Sequence, residues 1–224
     1  MPEVIRIEMK IGVFGGSFDP VHTGHAMVAS YALQFCGLDE VWLMVSRRNP
    51  LKTDGTAASD QDRLAMARIV ADSVNGLRVS DLEMQLPEPS FTYRTLCELR
   101  RLHPHNQFKL IIGADNWNDF LRWRDPEKII REFGLLVFPR PGYDLNDILP
   151  DGVEIASGSP QAFISSTFIR GALREGKNLN FFLPSGVMEY IERRRLYGIG
   201  KDAEAASRNN FFKDESGRKS QKTD

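Results

Sequence analysis

The chain has 224 residues, 42% of them hydrophobic, enough for one globular domain with a sizeable core. Its 29 Lys and Arg stand against 30 Asp and Glu, giving a net charge of −1. That balance excludes the broad basic face that grips nucleic acid, but allows a small local cluster of cations. Cys36 and Cys97 share no CxxC spacing and make no disulfide framework, no apolar run is long enough to span a bilayer, and the start MPEVIRIEMK lacks a secretory core, so a cytoplasmic protein with no membrane partner is expected.

In chain order, apolar runs alternate with helical patterns. Strands are predicted at 11–15 (IGVFG), 40–46 (EVWLMVS), 77–84 (LRVSDLEM), 108–114 (FKLIIGA) and 134–139 (GLLVFP); several are almost continuously apolar, as buried parallel strands are. Helices are predicted at 25–35, ending in a Cys36-Gly37 cap, at 60–74, closed by Asn75-Gly76, and at 92–102, stopping at His103-Pro104. Alternation of this kind predicts a Rossmann-like α/β domain, a doubly wound parallel sheet with right-handed crossovers. STFIRGALREGKN and SGVMEYIERRRLYG then read as two helices joined by LNFFLP. The expected organisation is a domain over 1–198, with a small helical C-terminal subdomain from about 165 to 198, and a polar tail over 199–224.

One stretch carries chemistry. In GVFGGSFDPVHTGH, residues 12–25, an apolar strand runs into Gly15-Gly16, then His22 and His25 flank Thr23-Gly24. The glycine spacing fits neither G-x-G-x-x-G nor the P-loop. The glycines allow a sharp turn and close approach of a ligand at a strand's carboxyl end, where open α/β sheets bind ligands. The histidines share one face at a predicted helix start, where free N–H groups and the dipole favour an anion. A metal site would need further ligands, and none clusters nearby: His103 and His105 flank a distant proline. Phosphate binding is the preferred reading. Asp19-Pro20 reads as turn-forming, with the Asp side chain bonding its own backbone. The ERRRL run at 192–196 reads as the cationic complement of a helix C-terminus.

GGSFDPVHTGH resembles the signature of the HxGH nucleotidyltransferase superfamily, and ISSTFIR (164–170) resembles that superfamily's C-terminal ISSTxxR motif. EPSFTYRTL (88–96), IIGADNWNDFLRWRDPEKI (111–129), FPRPGY (138–143) and LPSGVMEYIERRRLYG (183–198) are similar to the bacterial nicotinate-nucleotide adenylyltransferases, so the likeness spans residues 9 to 198. It implies transfer of AMP from ATP, with Mg2+, to nicotinate mononucleotide, giving deamido-NAD and pyrophosphate. Alternatives are the same transfer to nicotinamide mononucleotide or phosphopantetheine, or a nucleotide-binding sensor without turnover. No nucleic-acid partner is implied, and assembly into a homo-oligomer is left open.

The resemblance assigns His22, His25 and Arg170 to the phosphates of ATP, Arg170 as a planar clamp. Gly15, Gly16, Ser17 and Phe18 would line the nucleotide with backbone N–H groups, and Thr23 would add a hydroxyl or backbone donor. Ser165, Ser166 and Thr167 precede a helix: they read as its cap and, equally, as donors to the triphosphate. Lys52 would join them from the loop after the second strand, where this chain has Asn49-Pro50-Leu51-Lys52 and many relatives a Pro-Pro-His-Lys type sequence. For the pyridine nucleotide the resemblance implies Thr92, Asp115, Trp117 and Trp123. Trp123 would stack on the pyridine ring and Asp115 would serve ribose hydroxyls or hold Mg2+ indirectly, and no residue is assigned as a direct metal ligand. Trp117 stands where relatives often have leucine, and Tyr93 and Arg94 also depart from the common pattern.

Overall fold

The computed structural model describes residues 8–47, 58–145 and 149–199. Lys52 and residues 200–224 of the expected tail lie outside the described residues. The elements are β1 (Lys10–Gly16), α1 (Thr23–Phe35), β2 (Glu40–Val45), α2 (Asp60–Ala71), β3 (Leu77–Ser80), α3 (Leu82–Gln85), α4 (Thr92–Leu102), β4 (Gln107–Gly113), α5 (Ala114–Asp119), α6 (Pro126–Phe133), β5 (Leu135–Phe138), β6 (Val153–Ile155), α7 (Ser166–Arg174) and α8 (Val187–Arg194). Short 3-10 turns cover Phe120–Arg122 and Leu196–Gly198.

The strands form one parallel sheet in the order β3-β2-β1-β4-β5-β6, a doubly wound arrangement. Side-chain alternation sends Phe14, Val41, Leu43, Val45, Leu136 and Phe138 to one face, against α1, α2, α7 and α8. Ile11, Val13, Trp42, Met44, Leu135 and Val137 face the other way, against α4, α6 and Phe120. Burial on both faces explains why these strands read as unbroken apolar runs. The order reverses between β1 and β4, so the crevice at the carboxyl ends of these two strands, beside Gly15, Gly16 and Gly113, is the natural ligand position. Among the described residues no helix is long and apolar enough to cross a membrane.

One strand expectation needs correction. The run 77–84 splits into β3, which ends at Ser80, and the one-turn α3. The Ser80 Oγ accepts the Leu82 N–H at 3.3 Å and the Asp81 carbonyl accepts the Met84 N–H at 2.9 Å. Local side-chain and turn bonds at Ser80-Asp81 therefore compete successfully with the ladder. The helix predicted over 60–74 stops at Ala71, and Gly76 enters β3 through a left-handed φ of 86°.

The C-terminal helices join the main body through a buried carboxylate. Asp62 Oδ1 accepts from Tyr190 Oη at 2.9 Å and from Arg194 Nε at 3.1 Å, and Oδ2 accepts from Ser59 Oγ at 2.6 Å. Burial by itself raises the Asp62 pKa, but these bonds outweigh it and hold the carboxyl below its usual range. Asp62→Ala leaves the tyrosine and arginine without this acceptor. It should lower the unfolding free energy by about 1–3 kcal/mol, measured as a shift in urea midpoint at constant m-value.

Candidate active site

The turn after β1 is built around a strained residue. Phe18 takes a φ of 47°, in the left-handed region that a bulky side chain rarely occupies. Its fully buried ring is held edge-on to Phe14 at 5.6 Å and to His25 at 5.0 Å. A Cβ on Gly16 would come within 3.1 Å of that ring, so glycine is what lets the chain fold back over it. Phe18 thus belongs to the core by its side chain and to the ligand-facing turn only by its backbone.

Asp19 does not bond its own backbone, as the turn reading expects; its partners are far along the chain. Its carboxylate accepts the Ala58 N–H at 3.0 Å and the Tyr197 hydroxyl at 2.8 Å, and its carbonyl accepts from Arg170 Nη1 at 2.7 Å. Burial first, then the Asp19 charge, pushes the Tyr197 hydroxyl far above its ordinary pKa, so it stays a donor. Ser166 Oγ donates to the Pro20 carbonyl at 3.1 Å. The ISSTFIR segment is thereby bolted to the histidine motif, as two ends of one site.

His22 is the N-cap of α1, and its ring stacks on that of His25 with centroids 3.7 Å apart. The His22 N–H donates to His25 Nδ1 at 3.3 Å. A ring nitrogen that accepts carries no proton, which places the His25 proton on Nε2 as an outward donor. Burial, with the Arg140 charge second, lowers the His22 pKa to about 4. Burial, then His22, then Arg140 also lower that of His25. Both imidazoles are therefore neutral near pH 7, each with one ring N–H.

Arg140 escaped sequence reading, although FPRPGY had been singled out. It faces both histidines electrostatically and pairs with Asp115 at 3.2 Å. The other Asp115 oxygen, Oδ1, and His22 Nδ1 are buried without a protein partner. A pocket of about 270 Å3 is lined by Gly15, Gly16, Thr92 and Trp123, as well as the unforeseen Glu83 and Asn116, while His22, His25, Asp115 and Arg140 do not line it. Trp117 lies apart from it, stacked on Phe120 at 5.7 Å, while Trp123 packs on Phe120 from the pocket side at 5.3 Å. Thr23 directs its N–H and hydroxyl to the carbonyls of Phe182 and Phe181, at 2.9 and 3.3 Å. Ser165 caps α7, its Oγ accepting the Phe168 N–H at 3.2 Å. Ser17 and Thr167 are exposed at the two ends of this arrangement. Among the described residues no three His, Cys, Asp or Glu side chains cluster to cage a metal ion.

A glycine turn and two neutral imidazoles at a helix N-terminus, at the switch point of a doubly wound sheet, define a nucleotide-handling α/β domain of the HxGH type. The family model described as cytidylyltransferase-like matches residues 13–172, and the chain belongs to that family, among its nicotinate-nucleotide adenylyltransferases. A probable nicotinate-nucleotide adenylyltransferase of Bacteroides fragilis is 45% identical over 183 residues, covering 81% of this chain and 90% of its own. One of the same name from Flavobacterium johnsoniae is 37% identical over 196 residues, covering 84% and 99%. In structure the chain is similar to the Plasmodium falciparum nicotinic acid mononucleotide adenylyltransferase complexed with NaAD, with a TM-score of 0.71 at 21% identity over 86% of this chain and 99% of that one. That likeness supports the fold.

The buried His22 makes stability depend on pH. The folded-state pKa lies below that of an unfolded histidine, so the unfolded chain takes up the proton first. The effect is absent above pH ~6.5 and grows as pH falls toward 4, where it costs the wild type about 3 kcal/mol relative to His22→Gln. Urea unfolding of both proteins from pH 7 to 4 measures this; a stability difference constant with pH would show a solvated imidazole.

Proposed function

We propose that this chain transfers the AMP moiety of ATP to nicotinate mononucleotide, giving deamido-NAD and pyrophosphate. The observation that carries the reading is the stacked, neutral His22–His25 pair at the start of α1, together with a pocket lined by Trp123 and Thr92. A phosphate oxygen of the mononucleotide attacks the α-phosphorus of ATP; the new O–P bond forms as the bond to the β-phosphate bridging oxygen breaks, and pyrophosphate leaves. Protein contributes position and charge stabilisation to such a step.

In this reading the outward Nε2–H of His25, with His22, donates to phosphate oxygens as charge builds there. Arg140, beside both rings, supplies the formal positive charge that the neutral imidazoles lack. Gly15, Gly16, Ser17 and Phe18 present backbone to the nucleotide. Ser165, Ser166 and Thr167 stand at the α7 N-terminus to receive the triphosphate tail, and Arg170 both anchors the Asp19 carbonyl and adds charge at that end. Trp123 would stack on the pyridine, in the pocket that Thr92 also lines. Mg2+ bound with ATP would neutralise charge on its phosphates. Asp115, with one buried oxygen unpartnered, fits a role toward it through water or toward a ribose hydroxyl. A cytoplasmic setting fits this chemistry.

Pyrophosphate release with ATP and Mg2+, compared across nicotinate mononucleotide, nicotinamide mononucleotide and phosphopantetheine, tests the reading. The nicotinate form should be strongly preferred, since a site built for a carboxylate leaves polar groups unpaired against an amide. Release with none of the three would sink it. His25→Ala should lower kcat on the order of a hundredfold, as loss of one preorganised donor does. Trp123→Ala should act mainly on KM for the pyridine nucleotide, raising it roughly tenfold, as loss of an aromatic stack does.

A further inference from the structure

The largest fully buried side chain is an arginine that the reaction as described does not use. Arg63, on α2, is 2% exposed. One end of its guanidinium, Nη1, donates to the Ser17 carbonyl at 2.6 Å and to the Ser46 carbonyl at 2.7 Å; Nη2 pairs with Asp60 at 2.6 Å. Ser17 lies just past β1 and Ser46 just past β2, so one cation ties together the carboxyl ends of the two strands that frame the site. Simple strand-end stitching would not need a buried charge, which is costly to desolvate.

The consequence follows from peptide geometry. In a trans peptide the carbonyl of one residue and the N–H of the next point in opposite directions. Arg63 draws the Ser46 carbonyl inward, which turns the Arg47 N–H on the same peptide the other way, toward Glu83, whose pKa that N–H lowers. The Ser17–Phe18 peptide is held by the same nitrogen of the same arginine, so its N–H is turned away from α2 in the same sense. Among the described residues the Phe18 N–H donates to no protein acceptor. The left-handed Phe18 backbone is what this orientation requires, and the buried Phe18 ring locks it.

We infer that Arg63 is a positioning residue: by holding the Ser17 carbonyl it aims the Phe18 N–H at a phosphate oxygen of the bound nucleoside triphosphate. The inference rests on the proposed adenylyl transfer for its rate effect, but not for its binding effect. Arg63→Lys keeps the charge and loses the fork that grips two carbonyls and a carboxylate at once. Its kcat should fall on the order of a hundredfold, with KM for nicotinate mononucleotide changed less than about threefold.

A structural role alone would lower kcat and melting temperature and raise KM together; the distinguishing readout is the Phe18 amide. Labelling Ser carbonyls with 13C and Phe nitrogens with 15N leaves two coupled amide signals, from Phe18 and Phe91, because only Ser17-Phe18 and Ser90-Phe91 are Ser-Phe pairs. In the wild type, tripolyphosphate or ATP with Mg2+ should move the Phe18 amide proton downfield. In Arg63→Lys that shift should shrink while thermal melting stays cooperative. Asp60→Ala removes only the half-exposed carboxylate that aims the guanidinium, should give a smaller change in the same direction, and decides the matter if Arg63→Lys does not fold. An unmoved Phe18 amide in the wild type, or an unchanged shift in a folded variant whose kcat has fallen, would overturn the inference. A Phe18 shift with ATP but no turnover of nicotinate mononucleotide would leave it standing and reject the functional reading instead.

Discussion

The turn between β1 and α1 hangs on Asp19. Its buried carboxylate and carbonyl together accept from Ala58, Tyr197 and Arg170, groups from three different parts of the chain. Take this residue away and the histidine motif, the start of the segment leading into α2 and the C-terminal helices have no common anchor. A carboxylate suits the task because it accepts several bonds at once, and two donors from the chain offset the loss of water on burial. The C-terminal part of the chain is therefore part of the site's construction, since Tyr197 reaches Asp19 from beyond α8.

Upon this frame the electrostatics separate two duties that are often combined in one residue. His22 and His25 are kept neutral by burial and by Arg140, so they contribute directed N–H groups and no net charge. Positive charge comes from arginines, which cannot lose it at any ordinary pH: Arg140 beside the rings, Arg170 at Asp19 and Arg63 beneath the strand ends. A neutral donor aimed by the helix start is stiff and geometrically selective, whereas guanidinium charge acts over a longer range. The division lets the site present a positive field to a triphosphate without storing protonated imidazoles against each other at 3.7 Å.

The fold was legible wherever burial is two-sided, because β1, β2, β4 and β5 write themselves as apolar runs and the glycines at 37 and 76 mark turns with positive φ. Short elements were not: β6 has three residues, α3 one turn, and α6 hides its apolar positions Ile129 and Phe133 among charges. The two segments bonded together beside the β1 turn were legible for a different reason, that the residues of each are contiguous in the sequence. What stayed hidden depends on pairs distant in sequence. Arg63 reads as one cation in a polar first turn of a helix, and its bond to Ser17 spans 46 residues. Arg140 sits in a loop after β5, and nothing local says that it faces the α1 histidines. Asp19 looks like turn chemistry because Asp-Pro usually is, whereas its partner Tyr197 lies 178 residues away.

On the proposed function a carboxylate-bearing ring would settle in the pocket where Glu83 forms part of the wall. Burial pushes the Glu83 pKa up, opposed by the Ser90 hydroxyl at 3.1 Å, the Arg47 N–H and the charges of Arg47 and Arg63. The carboxylate is thus occupied by donors on its protein side. Arg47 is committed in turn, its guanidinium bonding Glu88 at 2.7 Å as well as the carbonyls of Met84 and Leu86. This clamp fixes the path of residues 84–90 into α4, whose first residue is Thr92. These bonds hold the Glu83 wall in place, while Arg47 Nε is buried without a partner. Beneath both lies Arg63, which bonds the Ser17 and Ser46 carbonyls and so ties the strand ends under the turn after β1.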